Sequence, residues 1–597
     1  GGSIGLKTFR MILLHLGAAK HIVTNTWVQN HYRWIVWKLA CYERRFPATC
    51  ASKFLVPERT LSQLIFRYDR EYCTGKRSAI CKIAEKDATP QTYMVLCVAS
   101  LSPPMSMRTN TDLDDYMIEL TDGWYSMLAR LDEPLMRLKN FGKITEGQKL
   151  RLCGIQITGS ENGVPPLELT PSTHLMLHVN GVRRAKWNAP LGFQCQENFR
   201  VNIKSIHKEG GQIPCIDVVV QKRFPLLHME KRKAQGLPNI IRSDRAEMDS
   251  KRLADEQAAI AREKIAQTVM QEIEQEKQSE RKKWKPVSRQ VLRTLTDGYA
   301  LYKALHKLGD PNGELQMLTT EQQNAYLRYA EVQQAREMME LEDRIRSETE
   351  GIEREVTRTL DIKVRDCCPH NRKKSRIDSF QSECIFRIYD AGEEALEVFE
   401  EGNHVRIYNL QVNNYSSAQD IHLSLSASRS TCWRVLKRAR DMSEEEKEKL
   451  HVQPRVPLSL ADLSNTDMND QFDFVGMVLY TAPPKSYTSR KGDFTYTLKE
   501  IYVTDGSVDD KMLLIRLRES ETRIIGWEFL QAGSCFSFYN LTLQDFDRTN
   551  GVYVCLANEA SDTVPRASQP TFRQKTEAVN EWASNNRQTF TQLVQQI

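Results

Sequence analysis

The sequence predicts an α+β multidomain chain: an N-terminal helical domain, three small β-barrels, and a long antiparallel helical insertion in the second barrel. Three observations predict this. A glycine-led segment recurs three times without gaps. The first ~88 residues read as helical and crowd their aromatic side chains. Residues ~241 to 358 are highly charged, with thin apolar stripes at helical spacing.

The helical domain comes first, over 1–88. Trp27, Tyr32, Trp34, Trp37 and Tyr42 share one segment, and Pro57-Glu58-Arg59 opens another helix. Aromatic density of this kind usually builds core. Three tryptophans between positions 27 and 37 are more than one helix normally buries, so part of that surface is expected to receive a partner.

The repeat follows. Gly147 begins Gly-Gln-Lys-Leu-Arg-Leu-Cys-Gly-Ile-Gln-Ile, Gly402 begins Gly-Asn-His-Val-Arg-Ile-Tyr-Asn-Leu-Gln-Val, and Gly533 begins Gly-Ser-Cys-Phe-Ser-Phe-Tyr-Asn-Leu-Thr-Leu. The same four positions are apolar in all three. Another strand follows each copy: His174 to Val179, Ile421 to Leu425, Val552 to Leu556. Upstream, Ile118-Glu119-Leu120-Thr121-Asp122-Gly123 matches Ile501-Tyr502-Val503-Thr504-Asp505-Gly506. Alternation such as Ile515-Arg516-Leu517-Arg518 and Phe494-Thr495-Tyr496-Thr497 fits half-buried antiparallel strands. About five short strands in a ~100-residue unit suggest the OB-fold barrel. The expected domains are OB fold 1 at 89–212, OB fold 2 at 213–455, and OB fold 3 at 456–597.

The insertion, at 241–358, falls between the first strand of the second barrel (Cys215 to Val220) and the rest of it. Ala258, Ala261, Ile265, Val269 and Ile273 mark the outgoing leg. Met338, Leu341, Ile345, Ile352 and Val356 mark the return. A leg of ~40 residues reaches roughly 60 Å at 1.5 Å per residue. Pro286 ends the first leg. Val291 to Leu308, a turn at Asp310-Pro311-Asn312-Gly313 and a capping-box start at Thr319-Thr320-Glu321-Gln322-Gln323 make a helical knob at the tip.

Composition narrows the function. Hydrophobic residues make up 40% and charged residues 27%, with net charge +6, so a mildly basic chain with packed cores is expected. No run approaches the ~20 apolar residues of a membrane span. The 14 cysteines lack repeated CxxC spacing, and free thiols imply a reducing compartment. Cys367-Cys368-Pro369-His370 is ligand-like but has no second half, so no metal or cofactor is expected. His207, His228 and His306 stand alone, and no P-loop, Rossmann fingerprint, nucleophile elbow or HExxH is present. The chain is therefore read as no enzyme.

Binding is the better reading. Unpaired strands of nucleic acid need aromatic faces for bases and cations for phosphates. Between the apolar positions of the repeat lie Arg151 and Cys153, Arg406 and Tyr408, and Ser537 and Tyr539. The second barrel adds Lys363, Arg365, Arg387, Tyr389, Arg429, Trp433 and Arg434. The third adds Tyr496, Lys499, Tyr502, Arg516 and Arg518. Arg406, Tyr408 and Tyr539, with the residues that the second and third barrels add, are the expected single-stranded DNA site; the first barrel lacks the tyrosine. Lys283, Arg289, Arg293, Lys303 and Lys307 at the tip are candidates for duplex DNA. The alternatives are a scaffold whose OB folds bind polypeptides, or a replication or telomere subunit like replication protein A.

A resemblance sharpens this. Trp27-Val28-Gln29-Asn30-His31-Tyr32-Arg33-Trp34-Ile35-Val36-Trp37-Lys38-Leu39-Ala40 resembles the helical-domain signature of the breast cancer type 2 susceptibility family. Pro57-Glu58-Arg59, Arg77-Ser78-Ala79-Ile80, Glu119-Leu120-Thr121-Asp122-Gly123-Trp124-Tyr125, Lys186-Trp187 with Leu191-Gly192-Phe193, and Gln453-Pro454-Arg455 continue it in order. The resemblance implies three OB folds, a tower with a three-helix tip, and a nuclear DNA-repair region that helps load a RecA-family recombinase at double-strand breaks. It also implies a small acidic partner, the protein deleted in split hand/split foot, received around Trp27, Arg33, Trp34, Trp37, Lys38 and Trp187. The family's recombinase-binding repeats are not seen, so the chain reads as a fragment.

Overall fold

The computed structural model describes every residue except 1–3, 104–114, 160, 233–237, 286, 309–310, 350–353, 368–381, 414–422, 453, 489–494, 509–510, 521, 549–550 and 568. The chain divides into two compact units. One comprises Gly1–Phe224 and Thr359–Arg455, the other Pro225–Arg358 and Val456–Ile597. Cys368, Pro369, His370, Pro286, Asp310, Ile352 and Phe494 lie outside the described residues.

The first unit opens with helices α1 (Leu6–His15), α2 (Asn25–Arg45), α3 (Pro47–Cys50), α4 (Pro57–Tyr68) and α5 (Ala79–Ala84). Thr24 caps α2 through the Trp27 N–H, and Ser78 caps α5 through the Cys81 N–H. Phe9, Leu13, Trp27, Ile35, Leu39 and Leu64 form the core of this helical part.

The first barrel has strands β1 (Met94–Ser100), β2 (Met117–Thr121), β3 (Ser126–Leu131), β4 (Lys149–Leu152), β5 (Gln156–Thr158), β6 (His174–Leu177), β7 (Val182–Arg184) and β8 (Gly192–Phe193), with α6 (Glu133–Asn140) after β3. β1 pairs antiparallel with β2 and β4, β2 with β3, and β5 with β6. β6 runs parallel to β3. β4 and β5 together hold the place of a fourth strand, which closes the ring, and β7 flanks β4.

The second barrel starts with β9 (Ile213–Arg223). The chain then enters the other unit as a hairpin of β10 (Leu227–Glu230) and β11 (Ile240–Ser243), and continues as helix α7 (Asp244–Lys283). Short helices α8 (Arg289–Leu292), α9 (Gly298–Leu308) and α10 (Pro311–Leu315) form the tip, and α11 (Thr320–Thr349) returns. The barrel resumes with β12 (Val356–Asp366), β13 (Glu383–Tyr389), β14 (His404–Val412), β15 (Leu423–Ser426) and β16 (Cys432–Lys437). Pairing runs β9–β12–β13–β15–β14–β9, with β13–β15 parallel and the others antiparallel. β16 flanks β14.

The third barrel holds β17 (Gln471–Thr481), β18 (Lys485–Thr488), β19 (Thr495–Thr504), β20 (Met512–Ser520), β21 (Arg523–Ile524), β22 (Cys535–Asp547), β23 (Val552–Ala557) and β24 (Asp562–Val564). Its ring is β17–β19–β20–β23–β22–β17, again with one parallel pair, β20–β23. β24 flanks β22. All three barrels therefore share one cyclic order and one flanking strand.

The backbone explains the repeat. The leading glycines Gly147, Gly402 and Gly533 have φ of 79°, 85° and 82°, a region that suits only glycine comfortably. Seven residues later Gly154, Asn409 and Asn540 are also left-handed, at 70°, 58° and 57°. A strand alternates with period two, yet the apolar positions step from Leu152 to Ile155, from Ile407 to Leu410 and from Phe538 to Leu541. The left-handed residue absorbs the odd step and returns the next apolar side chain to the core, and in the third barrel it falls at a bulge in the β17–β22 ladder. Leu150, Leu152 and Ile155 are buried, as are Val405, Ile407 and Leu410, and Phe536, Phe538 and Leu541.

The Thr121–Tyr125 turn docks on the helices through polar groups. Arg67 donates to the Gly123 carbonyl (2.8 Å) and to His31 Nδ1 (3.0 Å). The Tyr125 hydroxyl donates to Glu71 (2.7 Å), and Asp122 accepts the Ile80 N–H (2.8 Å). Burial and Arg67 hold His31 well below its ordinary pKa, so its ring is the neutral acceptor for the guanidinium. Burial pushes Glu71 up and lowers Arg67 to about 10.

Three expectations need correction, and two helices were missed. The Asp310–Gly313 turn is in part helix α10, with Pro311 at its first position, where a missing N–H costs nothing. Val356 begins β12 rather than extending the helical stripe of the return leg. Met338 faces solvent, because the seam is held by Val269 with the ion pairs Lys277–Glu337 (2.8 Å) and Arg344–Glu276 (3.1 Å). Helices Pro570–Asn585 and Arg587–Gln595, unassigned from sequence, cover one outer face of the third barrel.

Candidate nucleic-acid interface

On β12 and β13 of the second barrel, Leu360, Ile362, Val364, Cys384, Phe386 and Ile388 point inward. The intervening residues form the outer face, as alternation requires. Lys363 pairs with Glu383 (2.8 Å), and Arg387 grips Asp361 through two 2.7 Å hydrogen bonds. Arg365 stands opposite Glu383 in the register, and Tyr389 is exposed. Cross-strand carboxylates thus fix these cations as a ladder.

On β14, Arg406 does not face solvent. It is buried between Asp217, with bonds of 2.6 and 3.0 Å, and Glu197. This corrects its expected role as an open phosphate contact, since a buried guanidinium needs its counter-charges. Arg434 is exposed and reaches Glu197 at 3.2 Å. Tyr408 is half-buried, between Cys215 and Cys432 on the flanking strands. Trp433 packs edge-on against the core ring of Phe399 (5.4 Å), which removes it from the stacking set. Arg429 is exposed in the turn after β15.

The third barrel departs further from expectation. The Tyr539 ring lies on Phe572 of helix Pro570–Asn585, with centroids 4.9 Å apart and planes 27° apart. That face is filled by the chain itself and offers no platform there. Tyr502 is likewise packed with Leu514, Leu593 and Trp582. Lys499 shares its strand face with inward Ile501 and Val503, and its ammonium donates to the Trp527 carbonyl (3.1 Å). Arg516 pairs with Glu500 (3.1 Å).

What remains open is the hairpin of β18 and β19. Tyr487 and Tyr496 stand opposite each other in the register. Their rings stack at 5.7 Å and 20°, and the Arg518 guanidinium lies 4.0 Å from the Tyr496 centroid. Tyr487 is 41% exposed. The sequence reading missed Tyr487. Its signal is two tyrosines on either side of the polar, glycine-containing stretch Ser489-Arg490-Lys491-Gly492-Asp493, which lies outside the described residues.

At the tip, Lys283, Arg293 and Lys307 are exposed, Lys307 donating to the Arg281 carbonyl (3.2 Å). Arg289 pairs with Glu314 (2.6 Å), and Lys303 lies over Trp284 and Tyr299. Among the residues expected to receive an acidic partner, Trp27 and Trp34 are 1% and 3% exposed and belong to the core, which corrects that expectation. Arg33 chelates Glu119 (3.0 and 2.9 Å) across the joint with the first barrel. Trp37 packs edge-on to Trp34, Lys38 is exposed, and Trp187 is 71% exposed beside Phe46. Among the described residues no group of three His, Cys, Asp or Glu is placed to hold a metal, and no helix is long and apolar enough to cross a membrane.

Comparison with known proteins adds an independent line. Residues 1–73 match the family model described as BRCA2, helical, and residues 78–195 match BRCA2, oligonucleotide/oligosaccharide-binding, domain 1. The chain is 29% identical over 587 residues to Protein BREAST CANCER SUSCEPTIBILITY 2 homolog A of Arabidopsis thaliana, covering 94% of this chain and 48% of that protein. It is 29% identical over 589 residues to homolog B, with the same coverage. The chain thus spans about half the length of these curated relatives. A solved replication protein A heterotrimer bound to single-stranded DNA shares 13% identity over 38% of this chain and 47% of that one, at a TM-score of 0.26, too slight to carry an argument. Consecutive BRCA2 family models thus match the helical part and the first barrel, and the two Arabidopsis proteins are similar to this chain along nearly its whole length.

Proposed function

We propose that this chain is the single-stranded DNA-binding region of a homologous-recombination mediator, acting in the nucleus by binding rather than by chemistry. On this reading all three barrels are OB folds, with boundaries near residues 88, 212 and 455, and the paired helices are a tower that offers Lys283, Arg293 and Lys307 to duplex DNA. A RecA-family recombinase would be engaged through regions beyond this chain. The observation that carries the reading is the Tyr487–Tyr496–Arg518 stack on the open hairpin of the third barrel. Ring faces that accept any base, beside a fixed cation, suit an unpaired strand. The β12–β13 ladder with exposed Tyr389 extends the candidate set to the second barrel.

The test is anisotropy titration of labelled oligo-dT with the full chain. Tyr487→Ala with Tyr496→Ala is expected to cost about 1–3 kcal/mol per stacked base, or tenfold or more in affinity. An unchanged Kd for the double variant overturns this site. A second reading, a scaffold for an acidic polypeptide, is favoured by the bare indole of Trp187 beside Phe46. If the acidic partner displaces all bound oligonucleotide, the scaffold reading replaces the first.

A further inference from the structure

The segment joining the first and second barrels carries a carboxylate that sits on the second barrel's own cations. Glu197 bridges Arg406 and Arg434, contacting Arg434 Nη1 at 3.2 Å. The two arginines face each other on adjacent strands of the β14–β16 pair. Arg200, three residues on, pairs with Asp217 at 3.1 Å. Three guanidinium groups thus converge on two carboxylates. The carboxylates are not equivalent. Asp217 lies on β9 and holds Arg406 with two bonds, so Arg406 keeps a counter-ion without Glu197. Glu197 is on a connecting segment, and its side chain is 49% exposed.

The anchors lie on either side of it. Before it, the Gln194 N–H donates to the Tyr93 carbonyl (3.0 Å). After it, Phe199 is buried edge-on to Tyr93, and the Val201 N–H donates to the Cys215 carbonyl (2.8 Å). Asn198 beside it donates to the Pro214 carbonyl (3.4 Å), so the backbone is held and it is the half-exposed Glu197 side chain that faces solvent.

We propose that Glu197 is an intrachain competitor that occupies a phosphate position formed by Arg406 and Arg434, and that a nucleic-acid backbone displaces it. The inference rests on the single-strand-binding reading above and adds a regulatory contact to it. A carboxylate and a phosphate use the same fork of guanidinium donors, so one excludes the other. Binding to this barrel therefore includes the breaking of one internal ion pair.

The experiment uses the full chain and oligo-dT as the probe, with Glu197→Gln, Arg434→Ala and the double variant, titrated across a salt series. Glu197→Gln is expected to bind a few-fold tighter. Its log–log salt slope is expected to steepen, because no freed Glu197 carboxylate then takes up a cation to offset those released from the strand. Arg434→Ala in the Glu197→Gln background is expected to abolish both gains. Melting curves separate a structural role, which would lower Tm and leave the slope unmoved. If wild type binds and Glu197→Gln matches it in affinity and slope, the inference fails while the DNA-binding reading stands. If no variant and no wild type binds, both fail.

Discussion

Asp366, at the end of β12, accepts the Ile203 N–H at 2.7 Å, and burial lifts its pKa from 3.8 to about 6. The folded state therefore holds this proton more tightly than the unfolded chain. The contribution favours folding most below pH 3.8, declines as pH rises toward about 6, and is lost above it. Asp366→Asn keeps the acceptor and removes the titration. Its Tm relative to wild type is expected to rise across that window and to stay higher at pH 7 to 8. A constant difference across the window contradicts the assignment. The left-handed position gives a second prediction at this scale. Gly154 stands where the other barrels have Asn409 and Asn540. Gly154→Asn is expected to be tolerated, whereas Gly154→Val should cost about 1–2 kcal/mol in urea unfolding, the usual strain of a left-handed branched residue.

Among elements, the base of the long insertion is heavily cross-linked by charge. Arg242 and Arg354 both pair with Glu230 and Glu247, joining the β10–β11 hairpin, the first turns of α7 and the segment after α11. Hydrogen bonds from Arg354 and Arg242 hold Glu230 near 2. Its contribution is thus present above the ordinary 4.5 and is lost as pH falls from there toward 2. Glu230→Gln is expected to speed amide exchange in the first turns of α7. The tip, with its own core of Leu292, Leu301, Leu305 and Tyr326, should keep its protection. Equal loss at base and tip would refute this independence. The elements themselves were largely legible in sequence. Strand periodicity and the repeated glycines specify the barrels, because burial of alternate residues is a local constraint. Charge partners were not legible. Arg406 and Asp217 are 189 residues apart, and no local pattern links them. Tyr539 was read on the outward face, where it lies, but Phe572, which covers it, belongs to a helix whose few apolar residues gave no warning.

For the molecule as a whole, the third barrel depends on the last elements of the chain. Phe572, Val579 and Leu593 close the outer faces of β17 and of β20 and β23. Removing residues 569–597 would bare Val475, Met477, Leu514 and Val554, and the truncated chain is expected to aggregate or bind hydrophobic dyes in native buffer. A soluble, dye-silent truncation would show those helices to be dispensable. The interrupted second barrel has a consequence in time as well as in space. Strand β9 ends at Arg223, but β14, which it must pair with, ends at Val412. At about 5–20 residues per second on the ribosome, the later strand emerges roughly 10–40 s after the earlier one. Throughout that interval Ile216, Val218 and Val220 have no barrel to enter. The nascent chain carries a sticky, half-built strand while the insertion is being synthesised, and it is at this stage that a holding chaperone would have most to protect.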